Sequence, residues 1–172
     1  VPVEQERRPG GDRPPGDRRS GPDRRSEAGW QTVTIDDAAA QVDPADSLVA
    51  AATSARLRAR ARYSQFLVGA ALETVEGQVI TGCNIENATY GLTLCAERVA
   101  LVKALSDGHE LFTRLAIVAD TPAAVPPCGS CRQLLWEYCG DIEIIIANLD
   151  GVQARHRLTT LLPLPFDSRL LE

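Results

Sequence analysis

Three cysteines constrain this 172-residue chain more than any other feature. Cys128 and Cys131 stand in the segment Pro127-Cys128-Gly129-Ser130-Cys131, and Cys95 lies 33 positions before Cys128 in Thr93-Leu94-Cys95-Ala96-Glu97-Arg98. A Cys-x-x-Cys pair lets one turn of chain bring two sulfurs onto a single ion, and a third cysteine upstream completes three protein ligands. A closed structural zinc site uses four protein ligands; three and a water is the arrangement of catalytic zinc, in which the bound water becomes acidic enough to ionise near neutrality. Cys95, Cys128 and Cys131 are therefore candidate metal ligands, with Glu97 as proton carrier. Residues two apart on a regular helix face different directions, so Cys95 and Glu97 serve one site only in a helix's first turn. Cys95 is accordingly predicted within a residue or two of a helix start, where unpaired amide N–H groups also stabilise a thiolate.

A chain of this length is expected to form one domain that buries its core without disulfides. Its 44% hydrophobic content agrees, and no apolar run is long enough to span a bilayer. Five cysteines, an odd number, fit metal ligation better than a disulfide framework. Cys83 and Cys139 are left over and read as packing residues, since free cysteine commonly behaves as a small buried hydrophobe. The first thirty residues show no hydrophobic leader, so a reducing cytoplasm is the expected compartment. They hold seven arginines against six acids, and with a formal charge of −5 on the whole chain the remainder carries −6. A body of that sign repels phosphate backbones unless a basic track compensates, which disfavours nucleic acid as a partner.

Residues 1–29, rich in Arg, Gly, Pro and Asp, have too few apolar groups to offset backbone ordering and read as a disordered extension. Residues 30–172 form the candidate catalytic domain, with residues 30–35 a candidate short strand. Asp43 as N-cap and Pro44 at the first helical position open an Ala-rich helix expected to run to about Ala61. Residues 66–74 and 78–83 read as two strands joined through Glu76-Gly77. A helix follows with Thr93 as its expected N-cap, ending at Gly108. Next come a strand over 114–120, a Pro-rich loop over 121–127, and a helix opened by the second cysteine segment. Residues 141–148 carry four isoleucines with little alternation, as suits a strand covered on both faces. Asn148-Leu149-Asp150-Gly151 turns into one more short strand, and residues 158–162 begin a final helical turn. This order indicates an α/β domain, a three-layer α/β/α sandwich with a central mixed β-sheet.

Zinc deaminases carry a ligand-x-Glu segment followed later by Pro-Cys-x-x-Cys, the Glu acting as acid and base. Here the corresponding residues are Cys95-Ala96-Glu97 and Pro127-Cys128-Gly129-Ser130-Cys131. Together with Tyr63-Ser64-Gln65-Phe66-Leu67-Val68-Gly69-Ala70-Ala71-Leu72 and Gly82-Cys83-Asn84-Ile85-Glu86-Asn87-Ala88-Thr89-Tyr90-Gly91-Leu92-Thr93, these segments closely resemble the small homotetrameric zinc-dependent cytidine deaminases, from about Pro44 to about Phe166. The resemblance implies one zinc ion per subunit and hydrolytic deamination of cytidine and 2′-deoxycytidine to the uridine counterparts and ammonia, as in pyrimidine salvage. It implies that Phe66 stacks on the pyrimidine, that Asn84 and Glu86 bind the ribose hydroxyls, and that Arg98 draws charge from the ligand sulfurs. Leu161-Leu162-Pro163-Leu164-Pro165-Phe166 is similar to the family's segment at the subunit junction, where Phe166 approaches a neighbour's substrate, although Asp167-Ser168 departs from the usual continuation.

From spacing alone, Asn84 and Glu86 share a face if the backbone is extended, or else build a polar turn. Two other readings stay open here. One is deamination of a different aminopyrimidine, such as a nucleoside antibiotic or a base within RNA. The other is a catalytically silent zinc domain, which a coordinating His109 or His156 would support.

Overall fold

A computed structural model describes residues 46–166 and residue 171. The expected extension over 1–29, the strand over 30–35 and the capping residue Asp43 lie outside these.

The first helix, α1 (Ser47–Arg56), is capped by Asp46, whose Oδ1 accepts from the Leu48 amide at 3.0 Å. It starts later and ends earlier than the sequence predicts. The late start has a tertiary cause: the other oxygen of Asp46 meets Arg155 at 2.9 Å and Arg114 at 3.5 Å, so one nearly buried carboxylate caps the helix and ties it to two strands. The early end has another, since Arg60 leaves the helix to pair with Ile85.

The sheet contains β1 (Val68–Thr74), β2 (Val79–Cys83), β3 (Phe112–Ala119), β4 (Glu143–Asn148) and β5 (Gly151–Arg157) in the order β2-β1-β3-β4-β5. Only β3 and β4 run parallel; the other neighbours are antiparallel. The parallel pair needs a crossover, supplied by α3 (Gly129–Cys139). On one face, Leu72, Leu115, Ile117, Ile144 and Ile146 meet α2 (Ala96–Ser106) and Leu135 of α3. On the other, Ala71, Ala116, Val118, Ile145 and Ala147 meet Leu48 and Ala52 of α1. The unbroken apolar run of β4 is thus explained by burial on both faces, and the three layers match the sequence expectation. A short α4 (Leu158–Leu161) closes the order. Among the described residues no helix is long and apolar enough to cross a membrane.

Two glycines set how close the helices approach. A Cβ at Gly69 would lie 2.0 Å from the Ala52 carbonyl oxygen of α1, and one at Gly82 would lie 2.3 Å from the Ala96 carbonyl oxygen of α2. Both obstacles are backbone, which no rotamer change can relieve. Gly82→Ala must therefore lift the first turns of α2 off the sheet, and we expect a loss of about 1–3 kcal/mol of stability, read as a lower urea midpoint at unchanged slope.

The Asp46 network also fixes a pH dependence. Burial alone would raise the Asp46 pKa, but the bonds from Arg155 and the Leu48 amide, with the charges of Arg114 and Arg155, outweigh it and hold the carboxyl below its ordinary value. A group depressed on folding stabilises the protein above its unfolded pKa, and that contribution disappears as pH falls through the folded value. Urea midpoints measured from neutrality to well below pH about 4 should fall in the native chain, and below that point should fall less steeply in Asp46→Asn.

Candidate active site

Two helix N-termini meet at the thiols. Cys95 is the N-cap of α2 (φ −70°, ψ 154°), Glu97 is its second residue, and Cys128 is the N-cap of α3 (φ −64°, ψ 161°). Cys131 is the third residue of α3 and is buried. The predicted placement of Cys95 at a helix start is therefore found, two residues later than a Thr93 cap would give. The reason is local: Leu94 and Ile85 exchange both backbone hydrogen bonds at 2.9 Å, which keeps the chain extended up to Cys95. Thr93 instead accepts from the Asn87 amide through Oγ1 at 3.2 Å.

The Cys95 and Cys128 sulfurs are 3.9 Å apart, and all three sulfurs lie within 4.8 Å of one another. Tetrahedral sulfur ligands about 2.3 Å from zinc lie roughly 3.8 Å from each other, so little contraction is needed to close on one ion. Among the described residues no His, Cys, Asp or Glu atom joins this cluster as a fourth donor. Neither His109 nor His156 is part of it. The surroundings fit the same ion. Three thiolates on a divalent metal leave one excess negative charge, and next along the chain from Glu97 stands Arg98, whose buried Nε has no hydrogen-bond partner among the described residues. A guanidinium donor left over beside thiols is what a charged metal–thiolate group can use. The cluster fits one zinc ion.

The protons in this nest are not independent. The hydrogen bond with the Cys131 thiol holds Cys95 down at about 6, with Cys128 and the positive charge of Arg98 acting the same way and burial opposing. Cys131, on the other side of that bond, is pushed up, first by Cys95 and then by burial. Glu97 is only 5% exposed, and burial raises its carboxyl to about 7; the charge on Cys95 adds to this, while Glu97's own backbone hydrogen bond and Arg98 oppose it. A carboxyl so placed exchanges its proton near neutrality. By contrast, the Cys139 thiol is pushed to about 12 by burial and packs against the main core, in keeping with the packing role read from sequence.

Beside the thiols, the chain builds a second group of polar residues. The Asn84 side chain is almost fully buried: Oδ1 accepts from the Val68 amide at 2.9 Å and Nδ2 donates to the Phe66 carbonyl at 2.8 Å. Glu86 accepts from the Tyr63 amide at 2.7 Å, the Ser64 amide at 3.2 Å and the Ser64 hydroxyl. Both residues hold the loop that carries the half-exposed Phe66, which the sequence does not reveal. Each keeps capacity beyond these bonds, a second amide proton on Asn84 and further lone pairs on Glu86. An open cleft of about 350 Å³ is lined by Tyr63, Ser64, Glu86, Tyr90 and Thr93. The Ile85–Leu94 bridge places this cleft's Glu86 segment alongside the extended residues that lead into Cys95.

Phe166 is set apart from these residues. It is 59% exposed, and its backbone is bonded to Gln133 of α3. Sequence reasoning also missed Arg132, which donates through Nε to the Pro127 carbonyl at 2.8 Å and through Nη1 to the Leu161 carbonyl at 3.0 Å. Its only signal was adjacency to Cys131.

A mixed sheet between helix layers, with three thiols and a buried carboxyl gathered at two helix N-termini, defines a metal-dependent hydrolytic domain. The profile of the cytidine and deoxycytidylate deaminase zinc-binding region matches residues 43–147. A cytidine deaminase of Halalkalibacterium halodurans is 50% identical over 117 residues, covering 67% of this chain and 89% of that protein. One from Sporosarcina psychrophila is 46% identical over 119 residues, covering 69% and 88%. The crystal structure of cytidine deaminase from Burkholderia pseudomallei superposes with a TM-score of 0.68 at 44% identity, covering 70% of this chain and 97% of that one. The chain belongs to the cytidine and deoxycytidylate deaminase zinc-binding family.

Removal of one sulfur should be felt as loss of metal. Cys128→Ala is expected to fall well below one zinc per chain by elemental analysis after dialysis, with the fold retained by circular dichroism; full occupancy would show that Cys128 is not a ligand.

Proposed function

We propose that this chain hydrolyses cytidine and 2′-deoxycytidine to uridine and 2′-deoxyuridine, releasing ammonia. The observation that carries this reading is the convergence of three thiols on one point beside a buried carboxyl, in a domain of the deaminase family. Cys95, Cys128 and Cys131 would hold the zinc, which when bound supplies Lewis-acid activation of a water. Glu97 takes a proton from the attacking water and carries it to ring N3, which makes C4 electrophilic. After the water oxygen has bonded to C4, the Glu97 carboxylate takes the remaining proton of the new C4 hydroxyl and gives it to the amino group, and the C4–N bond breaks as C4=O forms, releasing ammonia. Arg98 draws charge from the ligand sulfurs through its Nε, which has no partner among the described residues. Phe66 stacks on the pyrimidine, and Asn84 and Glu86, with their remaining hydrogen-bonding capacity, bind the sugar hydroxyls.

The enzyme works as a homotetramer in the cytoplasm, with sites near the subunit junctions and Phe166 reaching a neighbour's substrate. Exposed Tyr90 at 77% and Leu92 at 64%, close to the cleft, support a surface covered by another subunit. A reducing compartment suits thiol ligands.

The decisive assay follows cytidine by its absorbance, with and without a zinc chelator, alongside a metal determination. Loss of activity on chelation and its return with zinc are expected; turnover indifferent to metal content would refute the reading. Glu97→Gln should keep its zinc and lose roughly four orders of magnitude in kcat, because one carboxyl serves several proton transfers. Near-normal turnover in a zinc-loaded preparation would remove Glu97 from that role.

A further inference from the structure

We infer that Gln133 is a positioning residue for Phe166, its side-chain amide fixing the C-terminal segment so that the aromatic ring is presented to substrate at a set place. The inference rests on the proposed role of Phe166 in binding nucleoside. Gln133 Nε2 donates to the Phe166 carbonyl at 2.6 Å, and the Phe166 amide donates back to Gln133 Oε1 at 3.1 Å. One primary amide thus makes the two opposed bonds that a residue of a facing β-strand would make, which fixes both the position and the direction of the segment. Within a single chain packing does not do this work: Phe166 is 59% exposed and Leu164 is 92% exposed. An aromatic whose backbone is held by two hydrogen bonds while its ring stays open to solvent is prepared for something flat that arrives later.

The anchoring point is itself tied to the metal centre. Gln133 stands two positions after Cys131 on α3, and Arg132 between them bonds both the Pro127 carbonyl, next to Cys128, and the Leu161 carbonyl. Two consecutive side chains therefore hold the segment from Leu161 to Phe166 onto the end of α3 that presents the thiols. Gln133 meets no reacting atom and acts through Phe166 alone. A ring released from the clamp samples many positions, which weakens substrate binding and leaves the chemistry of bound substrate unchanged.

The test uses the full zinc-loaded chain as Gln133→Leu, Gln133→Glu, Phe166→Ala and the double variant Gln133→Leu/Phe166→Ala, with cytidine kinetics, zinc content and hydrogen exchange at the Phe166 amide. Gln133→Leu should raise KM about 5- to 20-fold with kcat within about twofold, and should speed exchange at Phe166. Gln133→Glu keeps the acceptor for the Phe166 amide but loses the donor, and should fall between Gln133→Leu and the native chain. The double variant should be no worse than Phe166→Ala, because both changes remove one interaction. If Phe166→Ala raises KM while Gln133→Leu leaves it unchanged, or if the two effects multiply in the double variant, the positioning role is overturned. A fall in kcat together with zinc content in Gln133→Leu would overturn it too, since Gln133 would then be supporting Cys131. If Phe166→Ala leaves KM unchanged, the substrate role of Phe166 fails and the clamp has nothing to position.

Discussion

The structure depends on bringing the N-termini of α2 and α3 to one point. The sheet gives each helix a different route there. α2 follows β2 at the edge of the sheet and is seated by its backbone contact at Gly82, where only a hydrogen fits between strand and helix. α3 arrives through the loop after β3 and returns the chain to the parallel strand β4. Ligands in open α/β sheets commonly gather beyond the carboxyl ends of strands, and Cys128 comes from such a loop. The spacing of the sulfurs is consequently set by helix-to-sheet packing some distance from the metal-binding atoms.

Charge explains why helix N-termini are used. Thiolates and a carboxyl would repel one another in a buried nest, and the free amides of two helix starts supply partial positive charge at the same place. Arg98 adds a full one. Protonation is divided between neighbours in the chain: Cys95 is held low by its thiol neighbours, whereas burial lifts Glu97. The proposed metal ligand and the proposed proton carrier thus sit two residues apart. The helix makes that possible because Cys95 precedes its regular turns and Glu97 lies in the first of them.

Several polar side chains outside the thiol cluster share one kind of task, which is to supply hydrogen-bond partners where a regular helix or sheet does not. Asn84 pairs with the backbone on both sides of Leu67, Gln133 pairs with Phe166, and Asp46 replaces a missing helical partner while joining Arg114 and Arg155. Each gives an otherwise irregular segment a definite position. The candidate substrate-binding residues all lie on such segments.

The sequence alone determined whatever depends on short spacing. The i, i+3 relation of Cys128 to Cys131, the first-turn requirement on Cys95 and Glu97, and the doubly buried run of β4 follow from local periodicity, the order of strands and helices indicated the layered fold, and the wider motif set pointed to the family. Tertiary structure decided what depends on residues distant in the chain. Local chemistry pointed to a helix opened ahead of Asp46, whereas Asp46 itself caps α1, its other oxygen held by Arg114 and Arg155. Thr93 was the expected cap for α2, but Ile85 pairs with Leu94 and the cap falls on Cys95. The attachment of Asn84 to Phe66, of Glu86 to Ser64 and of Gln133 to Phe166 left no trace in spacing, because a hydrogen bond between segments is specified by where the sheet and helices deliver them, and neither partner's neighbours in sequence carry that information.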